Sequence, residues 1–379
     1  MQGRVLAVDG GVAIVRCADE DVRVADAPAA WRPGDLVDGR AVVRAYRGDY
    51  PPPHSEVARL PRARLDALRA RAAALSKVRA FFAERGFLEV ETPLVVPSPG
   101  LEIHLDAMPA GDGYLITSPE YSMKRLLAAG LARIFQICKC FRANERGPHH
   151  ASEFTMIEWY RAFAGIDAIA ADTEQLVHAV CGDRARLGDR SIDVRPPWRR
   201  ITVRDAMARW ANVSITGDEP GDQLIAAIRR AGIDVADGLA WDDAFFTAWL
   251  ARVEPAIGAL DHAILIEDWP APLAALARTK PGDPAVALRF EAYVGGLELA
   301  NAFDELVDAG EQHARFLDEQ RVRAARGRPV YPIDDKLLAA LAEGLPPSSG
   351  IALGFDRLVM LATGVATIDH TLSFTSDER

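Results

Sequence analysis

The stretch RIFQICKCFRANERGPHHASEFTMIEWYR, residues 133–161, decides the fold of this chain. Two apolar-rich runs within it, Ile134–Phe141 and Phe154–Tyr160, flank a polar segment, and the alternation along both runs predicts a long antiparallel hairpin. One face of the second strand carries Phe154, Met156, Glu158 and Tyr160. Burying Glu158 there without a cationic or hydrogen-bonding partner would cost roughly several kcal/mol, so this face is a poor hydrophobic core. We therefore expect a polar pocket on this side of the hairpin.

The composition fits a protein with a large packed core. With 379 residues, the chain is long enough for one large domain, or for one large and one small domain. Its formal net charge is −10, from 54 acidic and 44 basic residues, which disfavours a broad polyphosphate-binding surface. No apolar run approaches the roughly 20 residues that span a bilayer, and the start MQGRVLAVDG does not resemble a signal peptide. We therefore expect a cytoplasmic protein that does not bind a membrane.

The chain has four irregularly spaced cysteines, Cys17, Cys138, Cys140 and Cys181. We expect all of them to be reduced and mostly buried. The alternative is a zinc site built from Cys138, Cys140, His149 and His150. Because C-x-C on a strand is not a standard zinc-ligand spacing, the interpretation as buried thiols is favoured.

The first 53 residues are predicted to form a small β-rich segment that ends in a stiff proline linker, Pro51–Pro53. Short β-leaning runs alternate there with turn residues such as Asp9-Gly10-Gly11. The segment lacks a clear run of aromatic residues interleaved with Lys and Arg, which base stacking would require. Partner recognition and a purely structural role are both open for it.

Hydrophobic periodicity and turn residues predict the elements of the larger domain, residues 54–379. In chain order these are a helix over Glu56–Arg85, a mainly helical insertion over about residues 167–284 that includes a strand over His262–Glu267, a second hairpin turning at Gly295-Gly296, a polar helix over Ala309–Arg326, a strand over Ser348–Phe355 and a helix over Asp356–Thr363. The polar helix is expected to be solvated. Gly350 and Gly354, which have no Cβ, permit another group to approach the backbone closely.

Four ordered segments resemble the motifs of one enzyme family. FR-x-x-E, a short loop and EFTM-x-EWY resemble motif 2 of the class II aminoacyl-tRNA synthetases, in the form used by the lysine branch. Upstream, GFLEVETPLVVPSPGLE and YLITSPEYSMKRLL resemble motif 1 and the amino-acid loop. Downstream, LELANAFDEL and SSGIALGFDRLVML resemble the metal and lysine strand and motif 3. Within this class the chain resembles the truncated lysyl-tRNA synthetase paralogues that act as elongation factor P–(R)-β-lysine ligases.

The resemblance, which covers about Leu65 to the C-terminus, implies an α+β fold. The expected architecture is a class II catalytic domain, with an antiparallel sheet flanked by helices, preceded by the small β-rich segment. Motif 1 implies a homodimer, although an ordinary amphipathic surface helix would need no partner. The implied enzyme is an AMP-forming ligase that uses ATP and Mg²⁺, activates lysine or (R)-β-lysine, and transfers it to a lysine side chain of elongation factor P.

The resemblance also assigns site residues. Arg142 and Arg357 are the catalytic pair, which would clamp the triphosphate because guanidinium groups bind oxyanions in bidentate geometry. The ATP positions are Arg142, Ala143, Asn144, Phe154, Glu298, Leu299, Gly354 and Arg357. The amino-acid positions are Ser118, Pro119, Glu120, Tyr160, Asn301, Glu305 and Ala352, where carboxylates would pair with substrate ammonium groups. The metal positions are Glu298 and Glu305, since Mg²⁺ prefers carboxylate oxygens.

Three positions qualify this assignment. Strict alternation would put Glu298 and Asn301 on opposite faces of a strand, so both serve one site only if a bulge or a strand end intervenes. Ala352 stands where lysyl-tRNA synthetases have glycine, and its methyl group should narrow the pocket floor. His150 lies where the family has a loop histidine, but the following Ala151-Ser152 departs from the family's Asn-Pro.

Two other classes of function compete with this interpretation. A tRNA-charging enzyme would need an anticodon-reading module and a basic docking surface, and the short N-terminal segment and acidic balance argue against both. A non-catalytic lysine- or nucleotide-binding paralogue has no physical need for a phosphate clamp. The retention of Arg142 and Arg357 therefore favours an enzyme.

Overall fold

The computed structural model describes residues 1–18, 20–50, 56, 60 and 62–378. The predicted proline linker, residues 51–53, and the start of the predicted helix at residues 57–59 and 61 lie outside these ranges. The chain divides into two compact units, Met1–Asp66 and Ala67–Arg379. Within the described residues, no helix has the length and apolar character needed to cross a membrane.

The first unit contains a five-stranded antiparallel sheet. Its strands are β1 (Gln2–Asp9), β2 (Val12–Cys17), β3 (Glu20–Val24), β4 (Leu36–Asp38) and β5 (Ala41–Arg44), in the spatial order β3-β2-β1-β4-β5. The inward side chains Val5, Ala13, Val15 and Val37 form a small core with Trp31, which lies in the connection between β3 and β4. The prediction of a β-rich N-terminal segment is confirmed.

The second unit is organised by a mixed sheet of nine strands. These are β6 (Leu88–Glu89), β10 (Arg133–Phe141), β11 (Glu153–Ala162), β14 (Arg199–Thr202), β15 (Ile264–Pro270), β16 (Thr279–Lys280), β17 (Asp283–Val294), β18 (Leu297–Asp304) and β19 (Ser348–Gly354). The order is β14-β15-β17-β18-β19-β11-β10-β6, with β16 beside β17. Pairing is antiparallel from β15 to β10 and parallel at the two edges. The predicted antiparallel sheet of an α+β fold is thus confirmed.

Two small sheets and a set of helices surround this sheet. The small sheets contain β7 (Val95–Val96), β8 (Pro109–Ala110) and β9 (Gly113–Leu115), and β12 (Arg184–Leu187) and β13 (Arg190–Asp193). The α-helices are α1 (Arg62–Glu84), α2 (Glu120–Ala128), α3 (Ile166–Cys181), α4 (Val203–Ala206), α5 (Gly221–Arg230), α6 (Trp241–Ala248), α7 (Glu254–Gly258), α8 (Ala309–Ala325), α9 (Asp335–Gly344) and α10 (Phe355–Thr363). Met207–Ala211 and Trp249–Val253 are π-helical, and Ala271–Leu273, Ile368–Thr371 and Ser376–Glu378 are 3₁₀-helical.

The β10–β11 hairpin is in continuous register from Arg133 opposite Arg161 to Phe141 opposite Glu153. One face of it is apolar and packs under α1, where the ring of Phe82 stacks on Phe135 with centroids 4.4 Å apart. Arg71 of α1 donates to Thr155 Oγ1 over 2.7 Å and pairs with Asp356. Because alternation sends the neighbouring side chains the other way, the opposite face is free to form a pocket.

Two parts of the second unit differ from the sequence-based expectation. In the insertion, about residues 167–284, the strand predicted at His262–Glu267 is present as β15, but β14, which pairs with it at the edge of the main sheet, was not predicted. The expectation of a solvated helix over Ala309–Arg326 is wrong for one face of α8, where Gln312, Phe316, Glu319 and Arg323 are buried. Arg323 is fully buried, and its guanidinium donates to the backbone carbonyls of Glu102, Leu105 and Pro329. These carbonyls replace the water that a surface arginine would bind.

Candidate active site

A cavity of about 450 Å³ lies on the polar side of the hairpin, with walls from β11, β18 and β19. The predicted residues that line it are Ser118, Glu120, Arg142, Phe154, Tyr160, Glu298, Leu299, Asn301, Glu305, Ala352, Gly354 and Arg357. Met156 and Glu158 line it too, so the whole face Phe154–Tyr160 identified by alternation points into one space. Arg142 and Arg357, which are 215 residues apart in the chain, share this cavity.

Three predicted residues are not part of the cavity wall. Pro119 is buried and precedes the first turn of α2. Ala143 donates its backbone N–H to the carbonyl of Asp106 over 2.7 Å. Asn144 is exposed and has a left-handed φ of 64°, which Asn tolerates better than most residues. The roles assigned to these three residues therefore have no support from cavity geometry.

Glu158 lies at the deep end of the polar face and is 1% exposed. Its Oε1 accepts a hydrogen bond from the Tyr160 hydroxyl over 2.6 Å, and its Oε2 accepts one from Ser118 Oγ over 2.7 Å. Burial raises the pKa of Glu158 well above its usual value, and the charge of Glu120 raises it further. The partners that Glu158 was expected to need are thus hydroxyl groups.

A second cluster of acidic side chains, Glu120 and Glu305, surrounds a cation that was not predicted from the sequence, Lys124. Lys124 on α2 is 1% exposed, and its Nζ lies 2.6 Å from Glu120 Oε1 and 2.7 Å from Glu305 Oε2. Burial opposes the charge of Lys124, but the two carboxylates outweigh burial and hold its pKa above the usual value. Burial likewise raises the pKa of Glu305 to about 8, against the effect of Lys124. The spacing of Glu120 and Lys124, four residues apart at a helix start, was the available signal.

A β-bulge brings Glu298 and Asn301 to the same cavity. Along the β17–β18 ladder, Ala292 is opposite Ala300 but Tyr293 is opposite Glu298, so Leu299 is an extra residue on β18. The extra residue reverses the alternation, and Glu298 and Asn301 both line the cavity. The hairpin turns at Gly295 and Gly296, whose φ angles are 65° and 89°. The structure thus contains the bulge that the sequence required if both residues served one site.

A buried polar network adjoins Asn301. Arg289 donates through Nε to Asn301 Oδ1 over 3.0 Å and pairs with Glu291. Tyr293 donates its hydroxyl to Glu291 Oε2 over 2.6 Å. Burial raises the pKa of Glu291 to about 8, and the charge of Glu298 adds to this. Arg289 and Glu291 line the cavity and were not among the predicted residues, since the sequence offered no motif for them.

Arg142 begins the loop between β10 and β11 and lies beside Phe154. Its Cζ is 5.1 Å from the centroid of the Phe154 ring, a cation–π distance. Nη1 is 3.8 Å from Glu145 Oε2, which is a loose ion pair. Nε is buried and has no hydrogen-bond partner among the described residues. Arg142 therefore retains a donor for a ligand in the cavity.

Arg357 is held in the first turn of α10 by groups from two other elements. It donates to the carbonyl of Glu298 over 2.5 Å, to the carbonyl of His149 over 3.2 Å and to Nε2 of His150 over 2.6 Å. Because Arg is a donor only, Nε2 of His150 must be the unprotonated nitrogen. Partial burial and the charge of Arg357 lower the pKa of His150 to about 4, so His150 is neutral at physiological pH.

The residues present fit a divalent cation at one of the two predicted metal positions. Glu298 lines the cavity, and its negative charge raises the pKa of Glu291, which is already paired with Arg289. A hard cation bound at Glu298 would offset that negative charge. Glu305 fits less well, because the ammonium of Lys124 already lies 2.7 Å from its carboxylate. Of the two predicted metal positions, Glu298 is therefore the one whose surroundings fit a cation better.

The alternative zinc site is not assembled. Across residues 1–18, 20–50, 56, 60 and 62–378, no group of three or more His, Cys, Asp or Glu side chains is placed to hold a metal ion. The four cysteines are free thiols. Cys138 and Cys140 have their sulfur atoms 3.9 Å apart, and Cys140 contacts the sulfur of Met156 at 3.8 Å.

Comparison with known proteins agrees with this geometry. The model of the family described as tRNA synthetases class II (D, K and N) matches residues 57–378, and the chain therefore belongs to this family. The chain is 41% identical over 337 residues to the elongation factor P–(R)-β-lysine ligase of Klebsiella pneumoniae (strain 342), covering 84% of this chain and 97% of that protein. It is 40% identical over 328 residues to the protein of the same name from Salmonella dublin, with the same coverage. The resemblance inferred from the four motifs is confirmed.

Proposed function

We propose that this chain uses ATP to activate lysine or (R)-β-lysine as an aminoacyl-adenylate and transfers the acyl group to a lysine side chain of elongation factor P. The observation that carries this proposal is the shared cavity, in which buried carboxyl groups and two guanidinium groups face one space. Carboxylates match a cationic amino acid, and guanidinium groups match a triphosphate. The names of the relatives supply the acceptor protein and the β-amino acid.

In the first step, a carboxylate oxygen of the amino acid attacks the α-phosphorus of ATP. The bond from that phosphorus to the bridging oxygen breaks, and pyrophosphate leaves. Such a step needs positioning and charge neutralisation more than proton transfer. Arg142 has a free donor at Nε, and Arg357 has its side chain fixed by His150 and the backbone. We assign the phosphate clamp to these two arginines.

The remaining ATP contacts follow from the same walls. The ring of Phe154 would stack on adenine, beside Arg142. Gly354 and Leu299 would approach the nucleotide through their backbone. Mg²⁺, when bound at Glu298, would neutralise negative charge on the phosphates.

The end of the cavity that is lined by Glu120, Glu158 and Glu305 would hold the amino acid. Glu120, Glu305 and Tyr160 would contact its ammonium groups, and Ser118 would act through Glu158. Asn301 is oriented by Arg289 and would contact the substrate on the β18 side. Ala352 is directly opposite Glu158 in the β11–β19 ladder, so its methyl group adds to the pocket floor. The methyl group narrows the pocket, and this favours a substrate other than the α-lysine that is charged onto tRNA.

In the second step, the uncharged amine of the acceptor lysine attacks the carbonyl carbon of the adenylate. An amide bond forms, the bond from that carbon to the AMP oxygen breaks, and AMP leaves while the attacking nitrogen loses a proton.

We also propose a homodimer that forms through the motif 1 region, which includes α1 and β6, and a cytoplasmic location. Light scattering of the purified protein would check the oligomeric state.

Two assays test the function. With ATP, Mg²⁺ and lysine or (R)-β-lysine, the protein should catalyse pyrophosphate exchange that depends on the amino acid. With elongation factor P added, that protein should gain the mass of one lysyl group. A mass gain on bulk tRNA in place of elongation factor P would identify a tRNA-charging enzyme, and the absence of any exchange would identify a binding paralogue.

A further inference from the structure

Lys124 is a buried cation that the mechanism above does not use. Its Nζ contacts Oε1 of Glu120 at 2.6 Å and Oε2 of Glu305 at 2.7 Å. Both carboxylates belong to the cavity wall, whereas Lys124 approaches them from behind it. Lys124 therefore contacts the groups that would hold the substrate without standing in the substrate's space.

The three side chains depend on one another. Without Lys124, Glu120 and Glu305 would repel each other where little water is available to screen them. Without the two carboxylates, a lysine that is 1% exposed would not keep its charge. The ammonium group thus fixes the direction of two carboxyl groups, one at the start of α2 and one directly after β18.

Lys124 also determines which oxygen atoms remain for a ligand. Its Nζ lies 2.7 Å from Oε2 of Glu305, an ion-pair contact, and both oxygens of this group are buried with no hydrogen bond of standard geometry among the described residues. Oε1 is the oxygen that lies on the side of Gly350. Gly350 leaves room for this oxygen, because a Cβ at that position would lie 2.8 Å from it. An unpaired buried acceptor in a cavity wall is a preformed place for a donor.

Carboxyl groups outnumber the resident ammonium around this end of the cavity. Burial raises the pKa of Glu305 most, and the charges of Glu120 and Asp304 raise it further against the effect of Lys124. Burial and the charge of Glu120 likewise raise the pKa of Glu158. Three of these carboxyl groups line the cavity and one ammonium stands behind them. The cluster therefore carries an excess of acidic groups, which a further ammonium group in the cavity would offset.

We propose that Lys124 is a positioning and specificity-determining residue of the amino-acid pocket. Lys124 orients Glu120 and Glu305 so that together they can accept hydrogen bonds from one ammonium group of the substrate. The positive charge of Lys124 also limits how many substrate ammonium groups the pocket can bind. A cationic amino acid completes the cluster. Norleucine, which has the same carbon chain as lysine without the terminal amine, leaves Oε1 of Glu305 unpaired. This inference rests on the function proposed above.

The test compares Lys124→Met, which keeps the side-chain length and removes the charge, with Lys139→Met. Lys139 is a half-exposed residue of β10 that pairs loosely with Glu153 at 3.5 Å. In ATP–pyrophosphate exchange, Lys124→Met should raise the KM for lysine by about 30-fold or more and leave the KM for ATP within about twofold. The preference for lysine over norleucine should fall by a similar factor. Lys139→Met should leave all of these values unchanged.

A pH profile separates charge from packing. Among the groups facing Glu305, the carboxyls Glu120 and Asp304 raise its pKa and Lys124 lowers it, while Tyr160 and Glu158 of β11 stay uncharged or are held by hydroxyls. The KM for lysine should fall as pH rises and Glu305 becomes ionised. Because removing the charge of Lys124 raises the pKa of Glu305, this fall should occur at higher pH in Lys124→Met. Lys124→Arg keeps the charge and should leave the profile where it is in the wild type.

Three results would overturn the inference: a wild-type lysine KM in Lys124→Met, a raised KM with an unmoved pH profile, or a profile that moves upward in Lys124→Arg. If Lys124→Met does not fold, the Lys124→Arg profile decides alone. Failure of the wild-type protein to exchange pyrophosphate with lysine or (R)-β-lysine would instead disprove the proposed function.

Discussion

Arg357 donates a hydrogen bond to Nε2 of His150 over 2.6 Å, and this bond joins the motif 3 helix to the loop of the motif 2 hairpin. The neutral state of His150, whose pKa is lowered to about 4, keeps Nε2 available as an acceptor from mildly acidic to alkaline pH. A protonated histidine could not accept this bond and would repel the guanidinium. The position of one half of the proposed phosphate clamp therefore depends on an uncharged loop residue.

His150→Ala should raise the KM for ATP by about tenfold, because one of the groups that fix Arg357 is lost, and should leave the KM for lysine within about twofold. Pyrophosphate exchange measures both constants. His178→Ala, at an exposed histidine that pairs with Asp183, is the matched control. An ATP constant equal to that of the control would show that His150 does not position Arg357.

Arg142→Lys should lower kcat/KM for pyrophosphate exchange by at least about 100-fold, because an ammonium cannot reproduce bidentate binding of a phosphate. Arg146→Lys, four residues later in the same loop, should change it little, since Arg146 is exposed and pairs with Asp377. Equal activities of the two variants would exclude Arg142 from the clamp. Isothermal titration with a non-hydrolysable ATP analogue separates lost binding from lost chemistry.

Gly350→Ala should impair the amino-acid end and spare the nucleotide end. A Cβ at Gly350 would lie 2.2 Å from the ring of Tyr160 and 2.8 Å from Oε1 of Glu305, so both side chains must move. We expect the KM for lysine to rise by about tenfold or more, with the KM for ATP within about twofold. Gly310→Ala is a suitable control, because the nearest atom to its added Cβ is 3.3 Å away in the side chain of Asp308. A variant that binds lysine normally would show that this end of the cavity does not hold the substrate.

The stability of the ligand-free protein should fall as pH rises from about 7 to about 9. Burial raises the pKa of Glu291, Glu305 and Glu319 to about 8, so these groups keep protons in the folded state that the unfolded chain, with ordinary glutamate pKa values, has already released. Because the unfolded state binds fewer protons in this range, the free energy of unfolding decreases with pH. His149 and His150, whose pKa values are lowered, act below this range.

Urea denaturation at pH 7 and pH 9 measures this effect. Saturating lysine should reduce the loss at pH 9, because an ammonium partner stabilises the ionised form of Glu305. A midpoint that is constant or rises between the two values would contradict the assignment of protonated carboxyl groups in the folded state.

Arg323→Met should destabilise the protein and loosen one cavity wall. The Arg323 guanidinium donates to the carbonyls of Glu102 and Leu105 and to Asp106 over 2.6–2.8 Å, so its loss deprives several partly buried acceptors of a donor. We expect a loss of about 3 kcal/mol in the free energy of unfolding, measured in urea. Arg321→Met, at an exposed residue of the same helix, should cost less than about 0.5 kcal/mol. Equal losses for both variants would refute a special role for Arg323.

Local patterns in the sequence were sufficient for the centre of the site. Alternation placed Phe154, Glu158 and Tyr160 on one face, and it called for a bulge or a strand end if Glu298 and Asn301 serve one site, of which the structure has the bulge, at Leu299. The cost of burying a carboxyl group predicted that Glu158 would have partners. These inferences succeeded because each depends on residues that are neighbours in sequence or on an adjacent strand.

The contacts that were missed join distant parts of the chain. Arg323 reaches Asp106, which is 217 residues earlier, and this contact decides that a polar-looking helix has a buried face. Arg289 and Glu291 lie on a strand whose pattern is ordinary, and only the packing of β17 against β18 shows that they adjoin Asn301. Local periodicity has no information on such pairings, because they depend on how the elements assemble.

Because Leu299 is an extra residue in the β17–β18 ladder, the number of residues between Gly296 and Asn301 determines which face of the sheet Glu298 and Asn301 occupy. Deleting one residue there would restore uninterrupted pleating and turn either Glu298 or Asn301 toward the helices on the far side of the sheet. Inserting one residue would likewise turn one of these two side chains away from the cavity. A change in the residue count of this segment would therefore separate the proposed nucleotide-binding end of the cavity from the proposed amino-acid-binding end.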